Sequence, residues 1–398
     1  MSRSMYRRCG RLIFRPALNW PRADALPSMC WHDSSKAEME NMLEPTDRKL
    51  GQPDEWMTGR YDSIRGVVLA GIYPWANSVF DRMLARPLVP VAHKPLISYA
   101  LSWLAEAGIA RVTVCGNRQT RALQALAPHI VSEMTYSYVE DSMPRGAAGC
   151  LRDAADGDQS DTYVVTDGAA VPNSVDLPEL LERHQASGAD ATVVVYSEPG
   201  SRGTAGALLP AGIYVVNRTA LECIPPRGFF DIKEHLIPKL YRSGARVLSY
   251  EITEVVPRVL NAQTYLAVNG MAIESIVAGD AVPSGYHRRG EALIHADARI
   301  AADAILAGPL LIGQGAEVHS GAVVIGPTSI GCDAVINDGA LVSRSAVWRR
   351  SVVQAGATAD LCVLGDGAVI QTHRPAQGRP AGRTASLPLR GQGQIGTA

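Results

Sequence analysis

Leu69, Ala70 and Gly71 are the first residues in the chain whose types and order suggest a chemical role. They end an apolar, β-branched run that starts at Ile64, and such a run predicts a buried strand that enters a turn. Glycine at this turn would let backbone N–H groups approach a phosphate closely. The order of strand, turn and helix therefore makes a nucleotide site plausible at these three residues.

The segments around this site alternate between strand-like and helix-like patterns. Predicted strands cover residues 64–70, 111–115, 135–139, 162–166, 191–196 and 212–216, and predicted helices cover residues 95–107, 118–127, 146–155 and 177–187. This alternation predicts an α/β fold with a Rossmann-like, mainly parallel mixed sheet flanked by helices. Ligands of such sheets bind beyond the carboxyl ends of the strands, where Gly71 would lie.

The composition is that of an ordinary globular protein. The chain has 398 residues, of which 46% are hydrophobic, and this length predicts about two to three domains. The formal net charge is -1, so no overall field favours nucleic acid or an anionic membrane as a partner. No apolar run reaches the roughly 18 residues that span a bilayer. We therefore expect neither nucleic acid nor membrane as a partner.

The seven cysteines are scattered without a close pair. This spacing argues against a zinc site and against a disulfide framework, so we expect reduced thiols and a cytoplasmic location. Residues 1–62 show no sustained periodicity and predict a poorly ordered N-terminal extension. Their arginine-rich start is faintly like a transit peptide, but a disordered extension or an overcalled start codon is the simpler interpretation.

A repeat can be counted in the last third of the chain. Aliphatic residues recur every six residues at Ile294, Ile300, Leu306, Ile312, Val318, Val324, Ile330, Ile336 and Val342. Four residues after each comes a mostly small residue, at Ala298, Ala304, Leu310, Ala316, Ala322, Thr328, Ala334, Ala340 and Ala346. A narrow parallel β-helix requires this pattern, since one aliphatic residue per side fills its core and a small one fits each corner.

This pattern resembles the hexapeptide repeats of left-handed β-helices, in which three repeats make one turn. The phase breaks at Trp348 and is predicted to resume at Val352, Thr358, Leu364 and Ile370 after a small insertion, which gives about four turns. The predicted organisation follows from these patterns. It comprises an N-terminal extension (1–62), an α/β domain (63–270), a linker (271–289), a left-handed β-helix (290–372) and a disordered tail (373–398).

The segment from Arg86 to Ile97 gives the first resemblance to an enzyme family. The run R-P-L-V-P-V-A-H-K-P-L-I from Arg86 to Ile97 resembles the P-K-P-L-x-P-V-x-x-K-P-L-I segment of sugar-1-phosphate nucleotidyltransferases, also called nucleoside-diphosphate-sugar pyrophosphorylases. In that family a loop L-A-G-G-x-G-T-R-L-x-P precedes it and holds the triphosphate. Here Leu69, Ala70 and Gly71 match, but I-Y-P-W-A-N follows. Arg86 replaces a family lysine, which keeps the charge but changes its shape.

The resemblance extends to the nucleoside-binding segment. The run P-R-G-A-A-G-C-L-R-D-A-A is similar to the family pattern P-L-G-T-A-G-A-L-x-x-A, which implies that Gly146 and Ala147 contact the base and ribose. The alternative is that these small residues only pack a helix start against the sheet. Both interpretations remain open.

The family also holds Mg²⁺ between two aspartates, so that the sugar phosphate attacks the α-phosphorus in line. The resemblance places the first aspartate at Asp167, or at Ala169 under a two-residue shift. Asp167 could instead simply form the Asp-Gly turn. The second position falls on Arg258, whose cation would repel the ion. The family's sugar-binding excursion with its E-K-P motif is essentially missing between Ser197 and Pro210.

The family activity is synthesis of an activated sugar from a nucleoside triphosphate and a sugar-1-phosphate, and the chain is most like mannose-1-phosphate guanylyltransferases that end in a β-helix. The departures from the family motifs concentrate at positions that would have to act together in catalysis. We therefore expect a catalytically impaired homologue. It would act as a regulatory or scaffolding partner in polysaccharide precursor supply. The expected partners are a nucleotide or sugar nucleotide, and a homo-oligomer or a hetero-oligomer with an active homologue.

Two alternatives remain open. In the first, the chain is a working pyrophosphorylase in which Arg86, Lys94 and Asp167 are the catalytic residues and Mg²⁺ is the cofactor; otherwise no cofactor is expected. In the second, the chain is a hexapeptide-repeat acyltransferase that uses His295 or His319 as a base. No long loop that could build an acyl-acceptor pocket interrupts the repeats.

Overall fold

The structure is a computed structural model that describes residues 61–71, 80, 83–141, 143–197, 208–371 and 387–388. The predicted extension 1–62 and tail 373–398 lie almost wholly outside the described residues. The strands of the first part are β1 (Ile64–Leu69), β2 (Pro90–Val91), β3 (Lys94–Pro95), β4 (Arg111–Gly116), β5 (Thr135–Glu140), β6 (Thr162–Asp167), β7 (Ala191–Ser197), β8 (Leu208–Asn217) and β9 (Val247–Ile252). Seven of them form one sheet in the order β5-β4-β1-β6-β8-β7-β9.

This sheet is mixed and mainly parallel, as predicted. Strand β1 pairs in parallel with β4 and β6, β4 with β5, and β7 with β9. Only β8 runs against its neighbours β6 and β7. Strands β2 and β3 form a separate antiparallel hairpin. The carboxyl ends of β1, β4, β5 and β6 therefore meet at one edge, where the candidate site lies.

Helices cover both faces of the sheet. They are α1 (Ile97–Glu106), α2 (Leu123–Ile130), α3 (Gly146–Ala154), α4 (Leu177–Ser187), α5 (Ile237–Arg242) and α6 (Ala262–Ala278). Because side chains alternate along a strand, Val68 packs with α1 and α4 on one face and Val67 packs with α3 and α5 on the other. The result is the three-layer α/β architecture that the alternating pattern predicts.

The predicted helix over residues 118–127 differs in its bounds. A short 3₁₀-helix, Arg118–Thr120, comes first, and α2 follows from Leu123. The reason is local, since the Asn117 side chain accepts hydrogen bonds from the N–H groups of Gln119 and Thr120 and so starts a separate turn.

The C-terminal part consists of short strands. These are β10 (Tyr286–Arg289), β11 (Ala292–His295), β12 (Arg299–Ile300), β13 (Ile305–Ala307), β14 (Leu310–Ile312), β15 (Glu317–Val318), β16 (Val323–Ile325), β17 (Thr328–Ile330), β18 (Val335–Ile336), β19 (Leu341–Ser343), β20 (Ala346–Val347), β21 (Val352–Val353), β22 (Thr358–Asp360), β23 (Cys362–Leu364), β24 (Val369–Ile370) and β25 (Leu387–Pro388). From β11 to β24 they form three parallel sheets in which every third strand pairs, which is a parallel β-helix. Strand β10 pairs antiparallel with β11 at its start.

The inward positions agree with the counted repeat. Ile294 pairs with Ile312 and Ile312 pairs with Ile330, each three six-residue steps along the chain. All nine aliphatic residues of the repeat belong to one apolar cluster that fills the β-helix. The sheets hold five, five and four of these strands among the described residues, which agrees with the predicted four turns or slightly more.

The predicted phase after Trp348 is wrong at Val352 and Thr358 but correct at Leu364 and Ile370, which belong to the core of the β-helix. Ile330 pairs with Val347 and Ile336 with Val353, one residue earlier than the regular interval. Val353 is therefore fully buried, whereas Val352 is only partly buried. The cause is a corner shortened by one residue between Val342 and Val347, not an insertion, and Trp348 turns outward beside that corner.

Helix α6 lies between the two parts and carries their contacts. It spans residue 270, and its second half together with β10 occupies residues of the predicted linker 271–289. The buried Asn269 side chain accepts a hydrogen bond from Ala92 N (2.9 Å) and donates one to Ser329 Oγ (3.1 Å). Tyr265 donates to Pro90 O and accepts from Trp348 Nε1. The hairpin, helix α6 and the β-helix thus form one polar and apolar junction.

The described cysteines agree only in part with the prediction of reduced thiols. Cys115, Cys150, Cys223 and Cys362 are free, whereas Cys332 is disulfide-bonded. Separation along the chain does not limit which thiols meet in a fold, so the absence of a close pair was a weak argument. Within the described residues, no helix is both long and apolar enough to cross a membrane.

Candidate functional site

The end of strand β1 and the end of strand β6 lie side by side. Leu69 is in register with Asp167 across the parallel pair. Gly168 N donates a 2.8 Å hydrogen bond to Leu69 O, and Ala70 N donates one of 2.7 Å to Cys115 O. The structure therefore brings Leu69, Ala70 and Asp167 to the same edge, as expected for the carboxyl ends of neighbouring parallel strands.

The side chain of Asp167 has two partners. Its Oδ1 accepts a 2.8 Å hydrogen bond from Ala169 N, and its Oδ2 forms an ion pair with Arg258 Nη2. The exposed fractions of the two side chains in the pair are 19% for Asp167 and 35% for Arg258. The carboxylate therefore already uses both of its oxygens within the protein.

Backbone hydrogen bonds fix Arg258 in this position. Ala170 and Arg258 form an isolated antiparallel bridge. On either side of it, Val171 N donates to Pro257 O (2.8 Å) and Val259 N donates to Ala169 O (2.9 Å). The turn after Asp167 is thus bonded to the segment that carries Arg258, which holds the cation beside the carboxylate.

Strand β8 lies next to this ion pair. Gly212 has φ +81°, and a Cβ there would lie 3.5 Å from Arg258 Nη1. Nearby, burial raises the pKa of Tyr214 to about 12, with a contribution from Asp231, while Arg258 opposes the shift. Tyr214 is therefore a neutral phenol at physiological pH.

These residues do not fit a magnesium ion. Mg²⁺ requires oxygen ligands in near-octahedral geometry and is usually held by one or two carboxylates. Here one carboxylate is paired with a guanidinium that occupies the second expected position. Across the described parts of the chain, no group of three or more His, Cys, Asp or Glu residues could hold a metal.

The start of helix α3 contains Gly146 and Ala147. Gly146 has φ +73°, and a Cβ there would lie 2.7 Å from Phe230 O. That carbonyl accepts hydrogen bonds from Ala148 N (3.0 Å) and Gly149 N (3.1 Å). Two of the N–H groups at this helix start are thus already hydrogen-bonded within the protein. The close carbonyl of Phe230 also explains on structural grounds why residue 146 is a glycine. The nucleoside contacts of Gly146 and Ala147 remain a prediction.

The two predicted catalytic cations lie on the segment next to the β-helix. Arg86 begins a short 3₁₀-helix, Arg86–Leu88, and Lys94 begins strand β3, where it pairs with Val91. Both side chains are partly buried. Their catalytic roles remain predictions.

Two segments in which the sequence departs from the family motifs border on residues outside the described part of the chain. Residues 72–79, which contain the altered phosphate loop, lie outside the described residues, whereas Gly71 before them is described. Ser197 and Leu208 pair directly at the ends of β7 and β8. The connection between them, whose residues 198–207 are also outside the description, is therefore short, in agreement with a missing excursion.

The histidines considered for acyl transfer are placed at the surface of the β-helix or at its first turn. His319 Nε2 lies 3.0 Å from Glu317 Oε2. His295 packs edge-on against the Tyr286 ring, with centroids 5.1 Å apart, and its Nδ1 lies 3.6 Å from Asp297. Each has an acidic neighbour, but the two histidines occupy different places and form no shared site.

Sequence reasoning located Asp167 and Arg258 separately but missed that they pair. It also missed the contact of Phe230 O with helix α3 and the close approach of Arg258 to Gly212. The one available signal was the exchange of an expected acid for a base, which suggests a new partner for the remaining acid.

Part of the chain is similar to known proteins. Residues 80–205 match the family model described as nucleotidyl transferase. A mannose-1-phosphate guanylyltransferase from Mycobacterium tuberculosis (strain ATCC 25618 / H37Rv) is 25% identical over 253 residues, which cover 58% of this chain and 69% of that protein.

Two further proteins show more distant similarity. A D-glycero-alpha-D-manno-heptose 1-phosphate guanylyltransferase from Aneurinibacillus thermoaerophilus is 20% identical over 194 residues, covering 44% of this chain and 83% of that protein. A Bacillus anthracis structure described as a glucose-1-phosphate thymidylyltransferase with sucrose has a TM-score of 0.44 and 16% identity. The match covers 52% of this chain and 95% of the chain in that structure.

Proposed function

We infer that this protein binds a sugar nucleotide but is impaired in nucleotidyl transfer. The inference starts from its similarity to nucleotidyl transferases of the sugar-1-phosphate guanylyltransferase type. The observation that supports this proposal is the Asp167–Arg258 ion pair. It lies at the strand edge where the related enzymes are expected to hold their catalytic metal.

The physical argument concerns where charge is needed. In-line transfer at the α-phosphorus requires stabilisation of charge on the triphosphate as it develops in the transition state. The Asp167–Arg258 pair as a whole has no net charge, and its guanidinium cannot bridge phosphate oxygens as a bound metal does. It can still attract a diphosphate in the ground state, which favours binding over catalysis.

We propose a regulatory or scaffolding role in polysaccharide precursor supply for the protein. A sugar nucleotide bound without turnover reports the concentration of the product that active homologues make. The large β-helix surface offers faces for association with another copy or with an active homologue. The hetero-oligomer is the assembly in which such a signal could act.

The test is a pyrophosphate-release assay with GTP, mannose-1-phosphate and Mg²⁺, using the Mycobacterium tuberculosis relative as a positive control. We expect no turnover above background. In parallel, calorimetric titration with GDP-mannose should give binding that EDTA leaves unchanged. Clear turnover would instead support the working pyrophosphorylase, and absence of GDP-mannose binding would leave only a scaffold.

A further inference from the structure

A cavity lies at the junction between the hairpin segment and the β-helix, away from the Asp167–Arg258 pair. Its volume is about 210 Å³. We call it the junction cavity; its lining includes Leu84, Leu88, His93, Val347, Trp348 and Arg349. An apolar cavity of roughly 150 Å³ can hold a benzene molecule, so this one has room for a small substituted ring.

Most of the wall is apolar. Leu84 and Leu88 come from the segment before the hairpin, and Val347 and Trp348 come from the shortened corner of the β-helix. The Trp348 indole is held in place because its Nε1 donates a 2.8 Å hydrogen bond to Tyr265 Oη. A flat, rigid indole face favours stacking or edge contact with a planar ring.

Two polar atoms at this lining lack partners. Arg349 Nη1 is buried without a hydrogen bond, although its Nε donates to Asp366 Oδ2 at 2.7 Å. His93 Nε2 is also buried without a well-aligned hydrogen bond, although the Ile330 backbone lies close to the imidazole, and its Nδ1 lies 3.2 Å from Tyr286 Oη. Buried polar atoms are nearly always satisfied, and the unpaired donor of a cation is the more costly of the two.

The hairpin turn fixes the position of His93. Ala92 and His93 both have positive φ, 45° and 65°, at the tip of the β2–β3 hairpin. A two-residue turn between paired strands requires positive φ at both of its residues, and His adopts this conformation more often than most residues do. The turn places the imidazole at the junction, where a ligand could use it.

We propose that the junction cavity binds a small aromatic carboxylate. The ring would lie against Trp348 and the leucines, and the carboxylate would accept hydrogen bonds from Arg349 Nη1, with His93 as a second contact. The carboxylate would satisfy the unpaired Nη1 donor of Arg349, whose Nε stays bonded to Asp366 at the cavity wall, and the ring would fill the apolar volume. The proposal does not depend on the proposed function, because it concerns a different site.

Such a ligand would connect the two parts of the protein. It would contact Leu88, which shares a 3₁₀-helix with Arg86, and Arg349 on the β-helix. Occupancy would therefore favour one arrangement of the junction over others and could influence the nucleotide site by linkage.

The experiment is calorimetric titration of the full chain with benzoate, and with neutral benzamide for comparison. We expect saturable binding of benzoate with one site per chain, and binding of benzamide at least about fivefold weaker. Arg349→Gln should weaken benzoate binding about tenfold or more, since a hydrogen bond to a charged group is lost. The matched control is Arg344→Gln, which breaks an Arg–Asp pair elsewhere on the β-helix.

Arg349→Lys guards against misfolding of the glutamine variant. It keeps the charge beside Asp366 but lacks the forked donor, so it should fold and still lose affinity. Equal binding of benzoate to wild type and both Arg349 variants would overturn the proposal. So would no binding at millimolar concentrations, or an equal loss in Arg344→Gln. GDP-mannose titration of the same samples tests the proposed function separately.

Discussion

At the scale of single residues, one side chain changes the expected chemistry of the site. Asp167 occupies the end of its strand as the resemblance implied, but Arg258 supplies its counter-ion. In a pair of this kind the carboxylate is stabilised by a fixed cation and does not need a metal. The exchange converts a potential metal ligand into one half of a structural ion pair.

Arg258→Asp should create affinity for Mg²⁺. Two adjacent carboxylates repel each other, and a divalent cation relieves that repulsion while using their oxygens as ligands. We expect Mg²⁺ to raise the Tm of the variant by about 1–3 degrees, which is what about 1–2 kcal/mol of binding produces in a chain of this length. Arg258→Asn, which removes the cation without adding an acid, and the wild type should show no shift. A Mg²⁺-dependent rise in wild-type Tm would contradict this account.

The burial of His93 predicts that the folded protein loses stability at acid pH. Burial lowers the pKa of His93 to about 4, against a partial opposing effect of the Ile330 carbonyl, whereas the unfolded side chain titrates near 6.5. Between these values the unfolded state binds the proton and the folded state does not, so stability falls as the pH decreases from about 6.5 towards 4. At pH 5 this residue should account for about 2 kcal/mol of lost stability relative to pH 7.

The measurement is urea unfolding of wild type and His93→Asn at pH 7 and pH 5. Asparagine tolerates the positive φ and does not titrate, so the variant should lose less stability on acidification. His287→Asn, at an exposed histidine, controls for loss of an imidazole. Contributions from other groups, including the buried His184, cancel in the comparison. Identical acid dependence in wild type and His93→Asn would exclude the assignment.

At the scale of elements, the start of helix α3 shows how a sequence motif can have a packing reason. Phe230 O accepts from two N–H groups of this helix, and Phe230 N donates to Arg145 O at 2.7 Å. Gly146 is required both by its positive φ and by the closeness of that carbonyl. The small residues of this segment are thus explained by the fold, whether or not they also contact a nucleoside.

Gly146→Ala should destabilise the protein more than Gly157→Ala. Both glycines have nearly equal positive φ, +73° and +71°, but only at Gly146 would the new Cβ meet backbone, since Gly157 faces open space. We expect a loss of about 1 kcal/mol in the free energy of unfolding for Gly157→Ala and at least about 2 kcal/mol for Gly146→Ala. Urea denaturation measures both, and equal losses would show that Phe230 O does not constrain this position.

At the scale of the whole molecule, helix α6 joins the sheet and the β-helix through few polar contacts. Asn269 is 1% exposed and bonds to both Ala92 and Ser329. Its carbonyl and amide ends are both satisfied, which fixes the orientation of the side chain. A buried bridge of this type specifies how the two parts meet rather than how each part folds.

Asn269→Ala should loosen this junction. The loss leaves Ala92 N buried without its acceptor, so we expect a cost of about 2–3 kcal/mol. Because the β-helix has its own core, unfolding should also become less cooperative, with separate transitions by near-UV and far-UV circular dichroism. Gln263→Ala, at an exposed position of the same helix, should change stability by less than about 0.5 kcal/mol. A single unchanged transition in Asn269→Ala would contradict the bridging role.

Much of this architecture was predictable from periodicity. Alternating strand and helix patterns predicted six of the seven sheet strands to within a few residues but did not predict β9. The six-residue spacing from Ile294 to Val342 predicted every inward position of that region. Both patterns reflect burial along one strand or one turn, which is a local property that a sequence records directly. The prediction failed at Val352 and Thr358, because a corner shortened by one residue leaves the amino-acid types unchanged but moves the inward positions to Val353 and Ala359. A second short step, from Ala359 to Leu364, restores the predicted phase.

The sequence alone therefore determined the fold class, the repeat and the identity of the residues near the strand ends. Only the tertiary structure decided that Asp167 faces Arg258, that Phe230 O meets helix α3, and that His93, Trp348 and Arg349 share a cavity. These contacts join residues from distant parts of the chain, and their geometry depends on how the sheet, helix α6 and the β-helix pack together. Spacing along a chain carries no information about such distances until packing has fixed them.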